Sequence, residues 1–312
     1  MTTTLVNSTV STAAVTAPAE APVSTPMTAE QREQFDRDGY LVIRGALTPD
    51  EVAFYEAALD RVYLDGVSAG SVQPGMAMHR LNAVANCPEA VGLINHPKTF
   101  GLIWSMLGWN VHIYHSHLDV HPEIKHQKPF SFEWHQDGGR QNREIESNPR
   151  PRLSVKLAYW LTDLTETGRG NFTVVPGSHL TNRIDGPPRR DIQWPDPEGA
   201  TQITAAPGDV VFFDRRLWHT RTDNYSPITR KGMFFAYSHR WGVSRDDNTA
   251  LFASAAYDTF TPVQKQLLGA PLAAPGEIVG DHAWGHYPAT TPLYGHLKDS
   301  GYLDSSFPFL IP

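Results

Sequence analysis

The chain has 312 residues with 26 Lys and Arg against 33 Asp and Glu, a formal charge of −7, which excludes a mini-protein held by staples and argues against non-specific nucleic-acid binding. A single cysteine, Cys87, rules out an intramolecular disulfide and a thiolate zinc site, so any metal must be held by His, Asp or Glu. The longest apolar stretch, residues 100–111, is broken by Gly101, Ser105, Gly108 and Asn110 and falls short of the ~20 residues of a membrane span, so the sequence reads as cytoplasmic, with a small-molecule partner, no nucleic acid and no membrane.

Residues 1–27 are rich in Thr, Ser, Ala, Val and Pro and carry no Lys or Arg, which predicts a disordered tail that lacks the basic segment of a targeting peptide. Residues 28–312 then read as a single domain. Thr28 with Gln31 forms a capping box and Gly39 a stop, which predicts a helix over 29–38 followed by a buried strand over 40–43. Thr48-Pro49-Asp50-Glu51 opens a second helix, with Val52, Tyr55, Leu59 and Val62 along one face. A third helix is predicted over 88–107, interrupted at Pro97.

After Trp109 the period shortens to strands, predicted at 110–121, 130–135, 152–162, 171–176, 201–204, 209–213 and 231–240. Many short strands with flanking helices indicate an α+β fold organised on a double-stranded β-helix, the jelly-roll or cupin-like architecture. Residues 250–268 read as helical. The segment 270–312 shows no clear period and reads as an irregular cover.

The chain has 14 histidines, and six of them lie between His112 and His135. In Trp134-His135-Gln136-Asp137, alternation along an extended chain turns His135 and Asp137 to the same side, so both can face one metal. The turn Pro207-Gly208 introduces an apolar strand that leads to His219, a third ligand at the rim of the sheet. Two imidazoles and a carboxylate suit a non-haem Fe(II) oxygenase, and zinc hydrolysis with the same ligands remains open. Arg230 opens the next strand, where a guanidinium can grip a carboxylate with two parallel hydrogen bonds.

Four motifs run in order: Phe35-Asp36-Arg37-Asp38-Gly39-Tyr40, Trp134-His135-Gln136-Asp137, Gly170-Asn171-Phe172 through Pro176-Gly177-Ser178-His179, and Pro207-Gly208-Asp209 through His219 to Arg230. Together they resemble the phytanoyl-CoA dioxygenase family. The resemblance implies an enzyme that binds Fe(II) and 2-oxoglutarate and uses O2 to oxidise an unactivated C–H bond, releasing succinate and CO2. It implies His135, Asp137 and His219 as the iron ligands and Arg230 as the partner of the distal carboxylate of 2-oxoglutarate. His179 falls in the family's turn motif and reads as structural. Where the family commonly has Asn ahead of the HxD motif, this chain has Val120, and two positions after His219 it has Arg221 in place of Ser. Arg221 is therefore set with Arg230 as a co-substrate contact, or meets an acidic group of the substrate. Related halogenases carry a small residue in place of the acid, so Asp137 points to hydroxylation.

Arg140, Arg143 and Arg221 lie close in sequence to these ligands and suggest an anionic substrate, while Trp134, Phe132, Tyr159, Trp160 and Trp218 are candidates to line the cavity. The alternatives are a metal-binding β-sandwich protein and a zinc-dependent cupin-like enzyme, neither of which uses Arg230.

Overall fold

The computed structural model describes residues 24–124, 134–139, 141–184, 196–270 and 291–303. Most of the expected tail, the strand predicted at 130–135 ahead of Trp134, Phe132, Arg140 and much of the segment after residue 270 lie outside the described residues. Within the expected tail, residues 24–27 are packed: Ser24 is buried, its hydroxyl donates to the His96 carbonyl, and the Met27 amide donates to Ser105 Oγ at 3.0 Å. Among the described residues no helix is long and apolar enough to cross a membrane.

The first two helices, Ala29–Asp38 and Pro49–Ser68, each begin at a complete capping box, Thr28 with Gln31 and Thr48 with Glu51. Gly39 ends the first in the left-handed region, φ 81°, where a side chain would be strained. The described residues form nine strands: β1 Tyr40–Ile43, between the two helices, then β2 Met78–Leu81, β3 Val111–His121, β4 Ser154–Trp160, β5 Phe172–Val174, β6 Thr201–Gln202, β7 Val210–Asp214, β8 His219–Arg221 and β9 Arg230–His239. They form a six-stranded sheet in the order β1-β7-β4-β9-β3-β2 and a three-stranded sheet in the order β6-β5-β8, every pair antiparallel. With helices against one face, this is the α+β double-stranded β-helix.

Period-two alternation gives the large sheet two distinct faces. Its outer face buries Val155, Leu157, Tyr159, Val210, Phe212, Met233, Phe235 and Tyr237 in one core with the helices. Its inner face meets the small sheet through a second core that includes Ala158, Trp160, Phe172, Val174, Val211, Phe213 and Phe234. The centre of the fold is therefore apolar on one side of β4, β7 and β9 and open to polar substitution on the other.

Some predicted elements change form. The helix expected over 88–107 is divided into a 3-10 turn Pro88–Ala90, a short helix Val91–Ile94 and a helix Phe100–Leu107. Pro97 cannot donate to a helical ladder and disfavours helical backbone at the residue before it. Residues 249–267 form three short helices, Thr249–Phe252, Ala255–Asp258 and Pro262–Leu267, because Ser254 and Thr261 each cap a new start. Within the segment read as irregular, Pro292–Asp299 is a helix capped by Thr291.

Candidate active site

His135 and His219 are brought together by backbone pairing. Each amide donates to the other's carbonyl at 3.0 Å, so His135 extends the small sheet beside β8 and the two rings lie 4.3 Å apart. Asp137 is fixed by its amide, which donates to the Arg215 carbonyl at 2.8 Å. Between them Gln136 points the other way, its amide nitrogen donating to the carbonyls of Thr181 and Arg216. The alternation expected from the motif is thus present in the chain.

One ligand atom from each of His135, Asp137 and His219 falls within 4.8 Å of the others. His135 Nε2 lies 3.9 Å from Asp137 Oδ1 and His219 Nε2 lies 3.8 Å from Asp137 Oδ2, so the donor atoms converge on one point. The His219 ring is wedged between Phe172 and Phe213, and its Nδ1 sits 2.8 Å from the Leu217 carbonyl. That contact assigns the proton to Nδ1 and leaves the Nε2 lone pair facing Asp137. Burial, helped by His135, lowers the His219 pKa to about 3, so the ring is neutral. Two neutral or part-exposed imidazoles and a carboxylate fit a divalent transition metal of iron or zinc type.

Asp137 has a partner that the sequence reading missed. Lys156 Nζ, on the inner face of β4, lies 2.7 Å from Asp137 Oδ2. Burial alone would raise the Asp137 pKa, but the Lys156 ammonium and the two histidines hold it well below the usual carboxylate range. For Lys156 burial works to lower the value, and Asp137 overcomes it, so the ammonium stays charged. The signal was legible as a lone charge inside the apolar run Ser154-Val155-Lys156-Leu157-Ala158-Tyr159-Trp160.

Further along the inner face, Arg230 is 2% exposed. Its guanidinium lies over the Trp160 ring, 4.7 Å from the centroid, and beside Phe234 at 5.7 Å. Nη1 donates to Asp119 Oδ2 at 3.2 Å, and Nε has no partner among the described residues. Gly170 makes room for it: a Cβ there would come within 2.8 Å of Arg230 Cδ, and its φ of 75° already disfavours a side chain. Arg221, on β8, donates to the His121 ring. His121 is lowered to about 4, first by burial and then by Arg230 and Arg221 against the pull of Asp119, so its neutral ring can accept.

Arg221 and Arg230 therefore share one pocket with Asp119, whose Oδ1 also lies 2.7 Å from His79 Nδ1, and Asp223 is a second carboxylate within electrostatic reach of Arg221. The buried Arg230 guanidinium, whose Nε has no partner among the described residues, suits the carboxylate end of a dicarboxylic co-substrate. Val120, by contrast, turns to the helix-facing core, so the inward neighbours are Asp119 and His121. The row His115, His117, Asp119 and His121 is a period-two pattern that the sequence displayed and the reading passed over.

The aromatic candidates divide. Trp160 and Phe234 line the inner face, whereas Tyr159 points to the helices and bonds to Thr99 and the Leu93 carbonyl. Trp134 Nε1 donates to Asp196 and Trp218 Nε1 to the Thr181 carbonyl. His179 supports the turn after β5, with Nε2 3.2 Å from the Asp36 carbonyl and the ring against Gly39. Arg143 lies in the short helix Gln141–Glu144.

The family model described as phytanoyl-CoA dioxygenase matches residues 35–232. An ectoine dioxygenase from Stutzerimonas stutzeri is 28% identical over 245 residues, covering 69% of this chain and 78% of the relative. The crystal structure of EctD from S. alaskensis with 2-oxoglutarate and 5-hydroxyectoine superposes with a TM-score of 0.55 at 24% identity, covering 72% of this chain and 81% of that one. The α-ketoglutarate-dependent carbocyclase SnoK from nogalamycin biosynthesis gives a TM-score of 0.51 at 23% identity, covering 73% of this chain and 91% of that one.

Proposed function

Because this chain belongs to the phytanoyl-CoA dioxygenase family, we propose that it is an Fe(II)- and 2-oxoglutarate-dependent dioxygenase that hydroxylates an unactivated C–H bond of a small organic molecule. His135, Asp137 and His219 would hold the iron, and Arg230, with Arg221 beside it, would hold the distal carboxylate of 2-oxoglutarate. The observation that carries this reading is a pair of sites between the two sheets: three converging metal-type donors, and further along a buried guanidinium whose Nε has no partner among the described residues. When bound, iron couples oxidative decarboxylation of 2-oxoglutarate by O2 to oxygenation of the substrate, with succinate and CO2 released.

The chain's own groups supply orientation and dryness. The Leu217 carbonyl fixes the His219 tautomer, and Lys156 engages one oxygen of Asp137. Trp160 and Phe234 wall the co-substrate pocket against water, which strengthens the Arg230 contact to a carboxylate. We further propose that the substrate carries an anionic group, a reading supported by the number of buried cations around the site, and that the enzyme works in the cytoplasm, a reading supported by its lone buried thiol. Burial pushes the Cys87 thiol up to about 12, away from redox or ligand chemistry.

A zinc enzyme or a metal-binding sandwich would use the three donors but give Arg230 no task. Arg230→Met separates these readings. The variant should retain one bound divalent metal per chain and lose 2-oxoglutarate affinity by about 100-fold, the scale of a buried charge-assisted pair. Unchanged 2-oxoglutarate binding in the variant would contradict the proposal.

A further inference from the structure

We propose that Lys156 and Arg215 form a second anion subsite, next to the metal donors, that holds a carboxylate of the organic substrate. This rests on the reading of His135, Asp137 and His219 as the metal site.

The register of the large sheet defines where these groups stand. One row of inner-face positions runs Phe213, Lys156, Ala236, His115 across β7, β4, β9 and β3. Arg215 lies two residues beyond Phe213 on the same side, with its amide donating to the Ser154 carbonyl at 3.3 Å. Gly138, next to Asp137, lies over it: a Cβ there would collide with Arg215 Nη1, and its φ of 96° admits little but glycine. Arg230 stands at the other end of β9, six residues from Ala236, where the co-substrate's distal carboxylate is accounted for.

Both cations are buried, Lys156 to 5% exposure and Arg215 to 1%. Arg215 Nη1 donates to Gln141 Oε1 at 2.7 Å and Nη2 to Asn142 Oδ1 at 2.6 Å, both neutral acceptors, while Nε has no partner among the described residues. Asp214, its neighbour in the chain, is already bonded to Arg216 and Arg152. Lys156 has one carboxylate among the described residues, Asp137. Once a dication takes up the Asp137 charge, neither Lys156 nor Arg215 has a counter-ion of its own, and buried unpaired charge is strongly disfavoured. A substrate carboxylate supplies the missing charge, and the unpartnered Nε edge of Arg215 suits its planar, two-oxygen geometry.

The local backbone is adapted to the same end. The pairing of β3 with β9 slips between Ile113 and His115, leaving Tyr114 as the extra residue of a bulge. Bulges of this kind re-aim a side chain, and the buried Tyr114 lies within electrostatic reach of both Lys156 and Arg215. The other charged or titratable groups within electrostatic reach of Lys156 include His115, His117, His219 and Arg245, and His115 is itself 3.6 Å from Asp246. Asp214 also lies within electrostatic reach of Arg215, but its oxygens are taken by Arg216 and Arg152.

The test uses the full chain loaded anaerobically with Fe(II) and saturating 2-oxoglutarate, with the visible absorption of the chelated co-substrate confirming the loaded state. Butyrate and its neutral analogue butyramide are then titrated in by calorimetry. Butyrate should bind at one per chain and butyramide at least tenfold more weakly; Lys156→Met and Arg215→Met should each weaken butyrate by about tenfold, while Lys156→Arg and Arg215→Lys retain most of the affinity. The wild-type contrast of acid with amide needs no variant and stands if Arg215→Met does not fold. Equal binding of acid and amide, no butyrate binding, or butyrate binding indifferent to both residues would overturn the subsite while the absorption band keeps the oxygenase reading intact. Absence of the band in folded, iron-loaded wild type would instead overturn the oxygenase reading, and the subsite with it.

Discussion

Asp214 carries the charge that holds the approach to His219. It is fully buried, and its oxygens accept from Arg216 Nε and Nη2 at 2.9 and 2.8 Å and from Arg152 Nε at 2.7 Å. Burial alone would raise its pKa, but the two guanidiniums and the Arg216 amide win, so the folded value lies below the ordinary 3.8. A depressed folded pKa contributes stability that is fully present above the unfolded carboxylate value and is lost as pH falls through the folded one. Asp214→Asn should therefore cost about 3–5 kcal/mol at neutral pH, because it leaves Arg216 buried without its carboxylate. Urea unfolding should show the gap to wild type narrowing once pH falls below about 4, as the wild-type carboxylate protonates. A gap independent of pH would mean that packing, and not charge, accounts for the loss.

At the scale of elements, the small sheet and the inner face of the large one act as two jaws, and glycine sets how closely they approach. Gly170 sits just before β5 with φ 75°, and its missing Cβ is the space through which Arg230 passes. Gly170→Ala should strain the turn and push the Arg230 side chain off Trp160. The expected result is a rise in the 2-oxoglutarate dissociation constant of about tenfold or more with metal affinity unchanged, measured by calorimetry on Mn(II)-loaded protein. Equal loss of metal and co-substrate binding would show that the substitution disturbs the sheet as a whole.

Legibility in the sequence followed the range of the interaction. Capping boxes at Thr28 and Thr48 and the period-two runs of β3, β4, β7 and β9 are local signals, and the elements they predict are present with bounds within a few residues. Strand β2 was missed because Met78-His79-Arg80-Leu81 is too short and polar to read as a strand; its pairing with β3 is a tertiary fact. The helix expected over 88–107 is interrupted around Pro97, as the sequence indicates, whereas the single helix expected over 250–268 is divided where Ser254 and Thr261 each cap a new start, signals that apolar periodicity does not register. Among site residues, the His-x-Asp spacing, His219 and Arg230 stood out because each has its own local context. Lys156, Asp119 and Arg215 acquire meaning only from strands that pair across the sheet, so their neighbours could not be read from a single segment.

Across the whole molecule, the large sheet separates two kinds of environment. Helices seal the outer face with an apolar core, and the inner face presents Lys156, Arg215, Arg230, Asp119 and the histidine row toward the small sheet, which brings His219 and Arg221 on β8 with Asp137 beside it. Such a density of buried charge is destabilising unless ligands balance it, which is the pattern expected where function and not stability selects the residues. We propose that the space between the two sheets binds iron through His135, Asp137 and His219 and 2-oxoglutarate through Arg230. The most direct measurement is anaerobic titration of metal-stripped protein with Fe(II) and 2-oxoglutarate, read by the visible charge-transfer absorption of chelated 2-oxoglutarate. That arrangement should give a band that saturates at one iron per chain, is abolished in His135→Ala and is much weakened in Arg230→Met. A folded, iron-loaded wild type without that band, or an undiminished band in His135→Ala, would contradict it.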